Sequence, residues 1–170
     1  MLRVLILAVL LSGCATSGIW SNYAEPQSGA TAKLRISSDA DVFLIPERHC
    51  LDWNAPGAGL AVSGKWLFGP GKPKFNGRAI GMKGEAPAGL TSGEMLVPAG
   101  KPLVVKYTTQ ERDATMIYAC EISFGFVPMA DEEYQLSAYM DISGKRCHFL
   151  PVPILQPERK VPAYEVKACK

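Results

Sequence analysis

Two Cys-His neighbours, His49-Cys50 and Cys147-His148, are the residues in this chain best equipped for chemistry. Brought together, their imidazoles and thiolates would suit zinc or copper. The spacing argues against such a centre. No C-x-x-C pair is present, and neighbouring residues on a strand point to opposite faces. The expectation is no metal and no cofactor. Nucleophilic chemistry is no better supplied: Ser63-Gly64 lacks the leading G-x of a nucleophile elbow, and the chain holds only two histidines. Pro56-Gly57-Ala58-Gly59 has neither the terminal Gly-Lys-Ser/Thr nor the following helix of a phosphate loop, and reads as a mobile loop. Asp131-Glu132-Glu133 offers carboxylates, but glycoside hydrolysis needs two acids across a cleft. Three in a row between two strands read as the solvated tip of a hairpin. The chain is expected not to be an enzyme.

Recognition is better represented than catalysis. From Trp53 to Gly84 the chain carries Lys65, Lys72, Lys74, Arg78 and Lys83, no acidic residue, and the interleaved rings of Trp53, Trp66, Phe68 and Phe75. Rings set among cations make good interface anchors, and loops on a rigid scaffold commonly carry function. The expected partner-binding residues are Trp53, Lys65, Trp66, Lys72, Lys74, Phe75 and Arg78. Their chemistry fits an acidic protein face, a lipopolysaccharide phosphate or a glycan stacked on tryptophan. The competing reading is that the rings fill a core and the lysines are merely solvated.

The elements that would position these residues are strands. Ala32, Leu34 and Ile36 alternate with Thr31, Lys33 and Arg35, the period of a half-buried strand. Val42–Ile45 predicts a second, ended by Pro46; Lys65–Phe68 and Arg78–Met82 are candidates for short strands inside the glycine-rich stretch that follows. Glu94–Val97 precedes the turn Pro98-Ala99-Gly100-Lys101. Pro102–Thr108 is rich in β-branched residues. The longest alternation puts Met116, Tyr118, Cys120, Ile122, Phe124 and Phe126 on one face. Tyr134–Met140 and Cys147–Leu150 complete the set, and the proline-rich tail is expected to run extended with Cys169 pinning its end. Short strands separated by Gly/Pro turns predict an all-β antiparallel sandwich or small barrel.

The N-terminus speaks to location. Arg3 precedes the apolar run Val4–Leu11 and small residues follow, the layout of a secretory signal peptide. The run is far shorter than the ~20 residues a spanning helix needs. Its end, Leu11-Ser12-Gly13-Cys14, resembles the lipobox of bacterial lipoproteins, which implies acylation of Cys14 and anchoring to a membrane. More than one acyl chain makes such an anchor firm. Ala15 rather than Asp after the cysteine favours, by the same resemblance, the outer membrane, with the domain facing the periplasm or the cell surface. Loss of Arg3 with the signal takes the formal charge from +2 to +1, so no global field points toward nucleic acid or anionic lipid.

Export makes the remaining Cys50, Cys120, Cys147 and Cys169 a disulfide set. Four cysteines allow three connectivities, and the sequence does not choose among them; Cys120–Cys147 with Cys50–Cys169 is the pairing preferred. The expected organisation is a signal over 1–13, a lipidated tether over 14–30, a sandwich over 31–155 and an extended tail over 156–170. Trp20 and Tyr23, in the tether, are expected at the lipid interface or in solvent. The lipobox, the Val97-Pro98-Ala99-Gly100-Lys101-Pro102-Leu103 turn and the Phe126-x-Pro128 to Tyr134 corner together resemble small bacterial lipoproteins with immunoglobulin-like or transthyretin-like sandwiches. That resemblance implies a fold and no activity. The functional expectation is an accessory subunit of an envelope assembly, bound to an envelope protein. The alternatives are an inhibitor or immunity-type protein that plugs one enzyme with a loop, and an enzyme or metal binder using His49 and His148.

Overall fold

The computed structural model describes residues 21–64, 73–112, 114–141, 143 and 146–170. Nine strands and no helix are found among them: β1 (Thr31–Ser38), β2 (Asp41–Pro46), β3 (Gly59–Ser63), β4 (Thr91–Pro98), β5 (Leu103–Arg112), β6 (Ile117–Phe126), β7 (Glu133–Asp141), β8 (Arg146–Pro153) and β9 (Ala163–Glu165). They form two sheets, in the orders β4-β1-β7-β8 and β3-β2-β5-β6-β9. Every pairing is antiparallel except β1 with β7.

The alternation seen in the sequence decides what lies between the sheets. Leu34 and Ile36 of β1, Val42 and Leu44 of β2, Val105 and Tyr107 of β5, and Leu136 of β7 are fully buried in one core. Each such aliphatic side chain contributes about 1.5–3 kcal/mol by leaving water. The fold is thus the all-β sandwich the sequence predicts, and both preferred disulfides are present. Cys120 of β6 joins Cys147 of β8 across the sheets, with Cα atoms 6.0 Å apart. Cys50 joins Cys169, with Cα atoms 5.1 Å apart.

That second bond staples an additional layer. Ile45, Val104, Ala55, Ala58 and Val166 form a smaller cluster on the outer face of the β2/β5 sheet, with Leu51, Trp53 and Tyr164 packed against it. The Leu51 amide donates to the Lys167 carbonyl at 2.9 Å, so the tail pairs with the loop it covers.

Four expectations need correction. Tyr23 is neither at a lipid interface nor in solvent: it is 1% exposed in the main core, and its hydroxyl donates to the Leu96 carbonyl at 3.1 Å. The Ser21 carbonyl accepts from Leu60 and the Tyr23 amide donates to it, so the folded chain begins before residue 31. Arg78–Met82 forms no strand, because its amides bind a carboxylate rather than a ladder. The acids at 131–133 do not tip a hairpin: they lie on the crossing from β6 in one sheet to β7 in the other. Glu132 accepts from the Tyr134 hydroxyl at 2.6 Å and pairs with Arg159, while Glu133 pairs with Lys33 at 2.9 Å. The expected Lys65–Phe68 strand lies outside the described residues.

Candidate interaction surface

The β1/β4 register sets Arg35 opposite Glu94. Both alternate with core residues, so both point to the outer face, where they would ordinarily be solvated. They are instead 4% and 6% exposed, because the chain between Gly77 and Leu90 folds back over that face. Arg35 Nε and Nη2 donate to Glu94 Oε1 at 2.9 and 2.7 Å. Nη1 and Nη2 also reach the carbonyls of Lys83 and Met82, at 3.1 and 3.2 Å. Glu94 Oε2 accepts the amides of Ile80 and Met82, at 2.6 and 3.3 Å. A charge taken out of water needs such complete pairing. Burial acts to raise the Glu94 pKa, but the Ile80 amide, Arg35 and the Met82 amide together hold it below the usual carboxylate range.

The ion pair therefore works as a clamp. It fixes the base of the loop by its backbone, and the Lys83 amide is further held by Glu133 Oε2 at 2.8 Å. Beyond the clamp, Lys83–Gly89 is exposed throughout. Gly81, Gly84 and Gly89 take positive φ there, which glycine adopts without strain. A groove of about 380 Å³ lies under the loop, bounded by Arg35, Arg78, Met82, Glu85 and Glu94.

The described residues among those expected to bind a partner are not one surface. Phe75 is fully buried, 5.9 Å from the Tyr23 ring, and closes the flank between edge strands β3 and β4. Asn76 beside it mimics a strand, accepting from the Ser63 amide and donating to the Ser63 carbonyl at 3.1 and 2.8 Å. On the opposite side of this bridge a Cβ at Gly93 would lie 2.3 Å from the Phe75 carbonyl oxygen, so only glycine fits. Lys74 is exposed, with Nζ 4.9 Å from the Phe75 ring centre. Arg78 stacks on the same ring and pairs with Glu25 at 2.8 Å. Trp53 lies elsewhere, edge-on to Phe43 at 5.5 Å in the outer cluster of the β2/β5 sheet. Lys65, Trp66, Lys72 and the acylation candidate Cys14 lie outside the described residues.

His49 lies in the loop after β2, and His148 lies on β8. His49 Nδ1 is 3.2 Å from the Tyr164 hydroxyl, and His148 stacks on Tyr139 with ring centres 4.5 Å apart. Both neighbouring cysteines are in disulfides. Among the described residues no three His, Cys, Asp or Glu side chains come together as a metal site. The Arg35–Glu94 clamp escaped the sequence reading, which placed Arg35 on the solvent side of its strand; Glu94, opposite it, was the only available signal. Comparison with protein-family models, curated proteins and solved structures finds no match for this chain.

Proposed function

We propose that this chain is an outer-membrane lipoprotein, acylated at Cys14, whose sandwich is a non-catalytic docking module for another envelope protein. The observation that supports it is the clamped loop. A loop whose base is fixed by a buried ion pair and four backbone hydrogen bonds loses little freedom when a partner binds. The contact residues are Lys83–Gly89, exposed beyond the clamp. A rigid projecting loop equally suits an inhibitor that inserts it into one enzyme's cleft, which is the second reading.

Affinity capture of the acylated chain from mildly crosslinked envelopes tests both. Envelope proteins recovered at fixed stoichiometry, and lost on Lys83→Glu with Pro87→Gly, are the expected result. One captured enzyme whose activity falls on binding selects the inhibitor reading. Capture that is unchanged by the loop variant overturns the loop's role, and no protein captured overturns both readings.

A further inference from the structure

The folded chain begins much closer to Cys14 than a tether running to residue 30 would allow. Ser21 already accepts the Leu60 amide of β3 at 2.8 Å, and Asn22 Oδ1 accepts the Lys74 amide at 3.2 Å. Only residues 15–20 separate Cys14 from this attachment, a span of at most about 25 Å when fully extended. A domain of this size is roughly 35–40 Å across. The lead therefore cannot reach around the sandwich, and the flank where it enters is the one held against the membrane.

That flank is the bridge between β3 and β4. It carries exposed Lys74 at the point where the lead enters. Arg78 and its partner Glu25 lie beside it. The far flank, at β8, ends the other side of the same sheet and exposes Leu150. We infer that the β3/β4 flank is a membrane-contact surface, with Lys74 resting on the phosphate-bearing headgroups of the lipid that holds the anchor. This rests on acylation of Cys14 and adds the orientation of the domain and the chemistry of its contact. One lysine near an anionic surface changes partitioning about fivefold.

Two measurements on the whole mature chain test it. The acylated protein, labelled with a fluorophore at Ala79→Cys or at Leu150→Cys after its disulfides have formed, is placed in vesicles carrying a headgroup-linked quencher. The Ala79 label is expected to be quenched severalfold more than the Leu150 label. Equal quenching, or the reverse order, overturns the orientation while an acyl mass on Cys14 leaves the anchor standing. A chain with no acyl mass overturns both. The Cys14→Ser chain, which lacks the anchor, is mixed with phosphatidylcholine vesicles with or without about a third phosphatidylglycerol. Stronger partition onto the anionic vesicles, lowered about fivefold by Lys74→Gln, is the expected result. Indifference to either change overturns the headgroup contact.

Discussion

Removing Arg35 should do more damage than its place on an outer face suggests. Arg35→Ala leaves Glu94, a residue 6% exposed in the intact protein, with two amide donors and no counter-charge, and it orphans the Met82 and Lys83 carbonyls. Breaking a buried pair from one side costs about 3–5 kcal/mol. In a domain of this size each kcal/mol moves Tm by about 2–4 °C, so the melt should fall by roughly 10 °C. The double variant Arg35→Met/Glu94→Leu removes both charges, and most of the lost stability should return. The loop should not recover, because Ile80 and Met82 have lost their acceptor. Thermal melts of the three proteins, with hydrogen exchange across residues 78–86, separate the two effects. The clamp is refuted if Arg35→Ala melts within a degree of the parent and the Ile80 and Met82 amides keep their protection.

Two further outcomes follow from the same structure. The Cys120–Cys147 and Cys50–Cys169 bonds close loops with sequence separations of 27 and 119; on chain entropy their removal should cost about 3.5 and 5 kcal/mol, read from denaturant midpoints of the Cys→Ser pairs. Equal losses would show that the outer layer beneath Cys169 does not depend on its staple. Acid should also unfold the protein from a definite point. Glu94, Glu132 and Glu133 are held below the ordinary glutamate value of 4.5 in the folded state, by their hydrogen bonds and cations against the opposing effect of burial. The unfolded chain therefore binds more protons as pH falls through that value, so the stabilisation is complete above about pH 4.5 and declines below it. A Tm that is level from pH 8 to 5 and then drops is expected, with a shallower drop in Glu94→Gln; a Tm unchanged down to pH 3 would contradict it.

Much of the sandwich was legible because β1, β6 and β7 alternate apolar and polar residues with period two, while β2 and β5, buried on both faces, read as short apolar and β-branched runs. Both preferred disulfides are present, although the sequence itself does not choose among the three connectivities. The rest depended on what later covers a surface, which periodicity does not carry. Arg35 alternates with Leu34 and Ile36 and so reads as solvated, until a glycine-rich loop folds over it. Gly59–Ser63 was hidden by the glycines around it, although Leu60, Ala61 and Val62 form an edge strand. Tyr23 sat among small polar residues that signal a tether, and nothing local marks it as the ring that fills the gap between two edge strands. Phe75 and Trp53 were recognised as anchoring rings, but they anchor this chain to itself.

The bond from Cys50 to Cys169 also governs how the molecule carries load. A pull applied between the N-terminus and the C-terminus enters at Cys169 and passes through the sulfurs directly to Cys50. Residues 51–168 are bypassed and cannot lengthen. All the tension falls on the stretch that includes Tyr23, β1 and β2. Each of those strands is flanked by neighbours on both sides, β1 by β4 and β7 and β2 by β3 and β5. The mechanical resistance of the whole domain therefore reduces to the shear strength of two inner strands, and its greatest extension is set by about thirty residues rather than by the length of the chain.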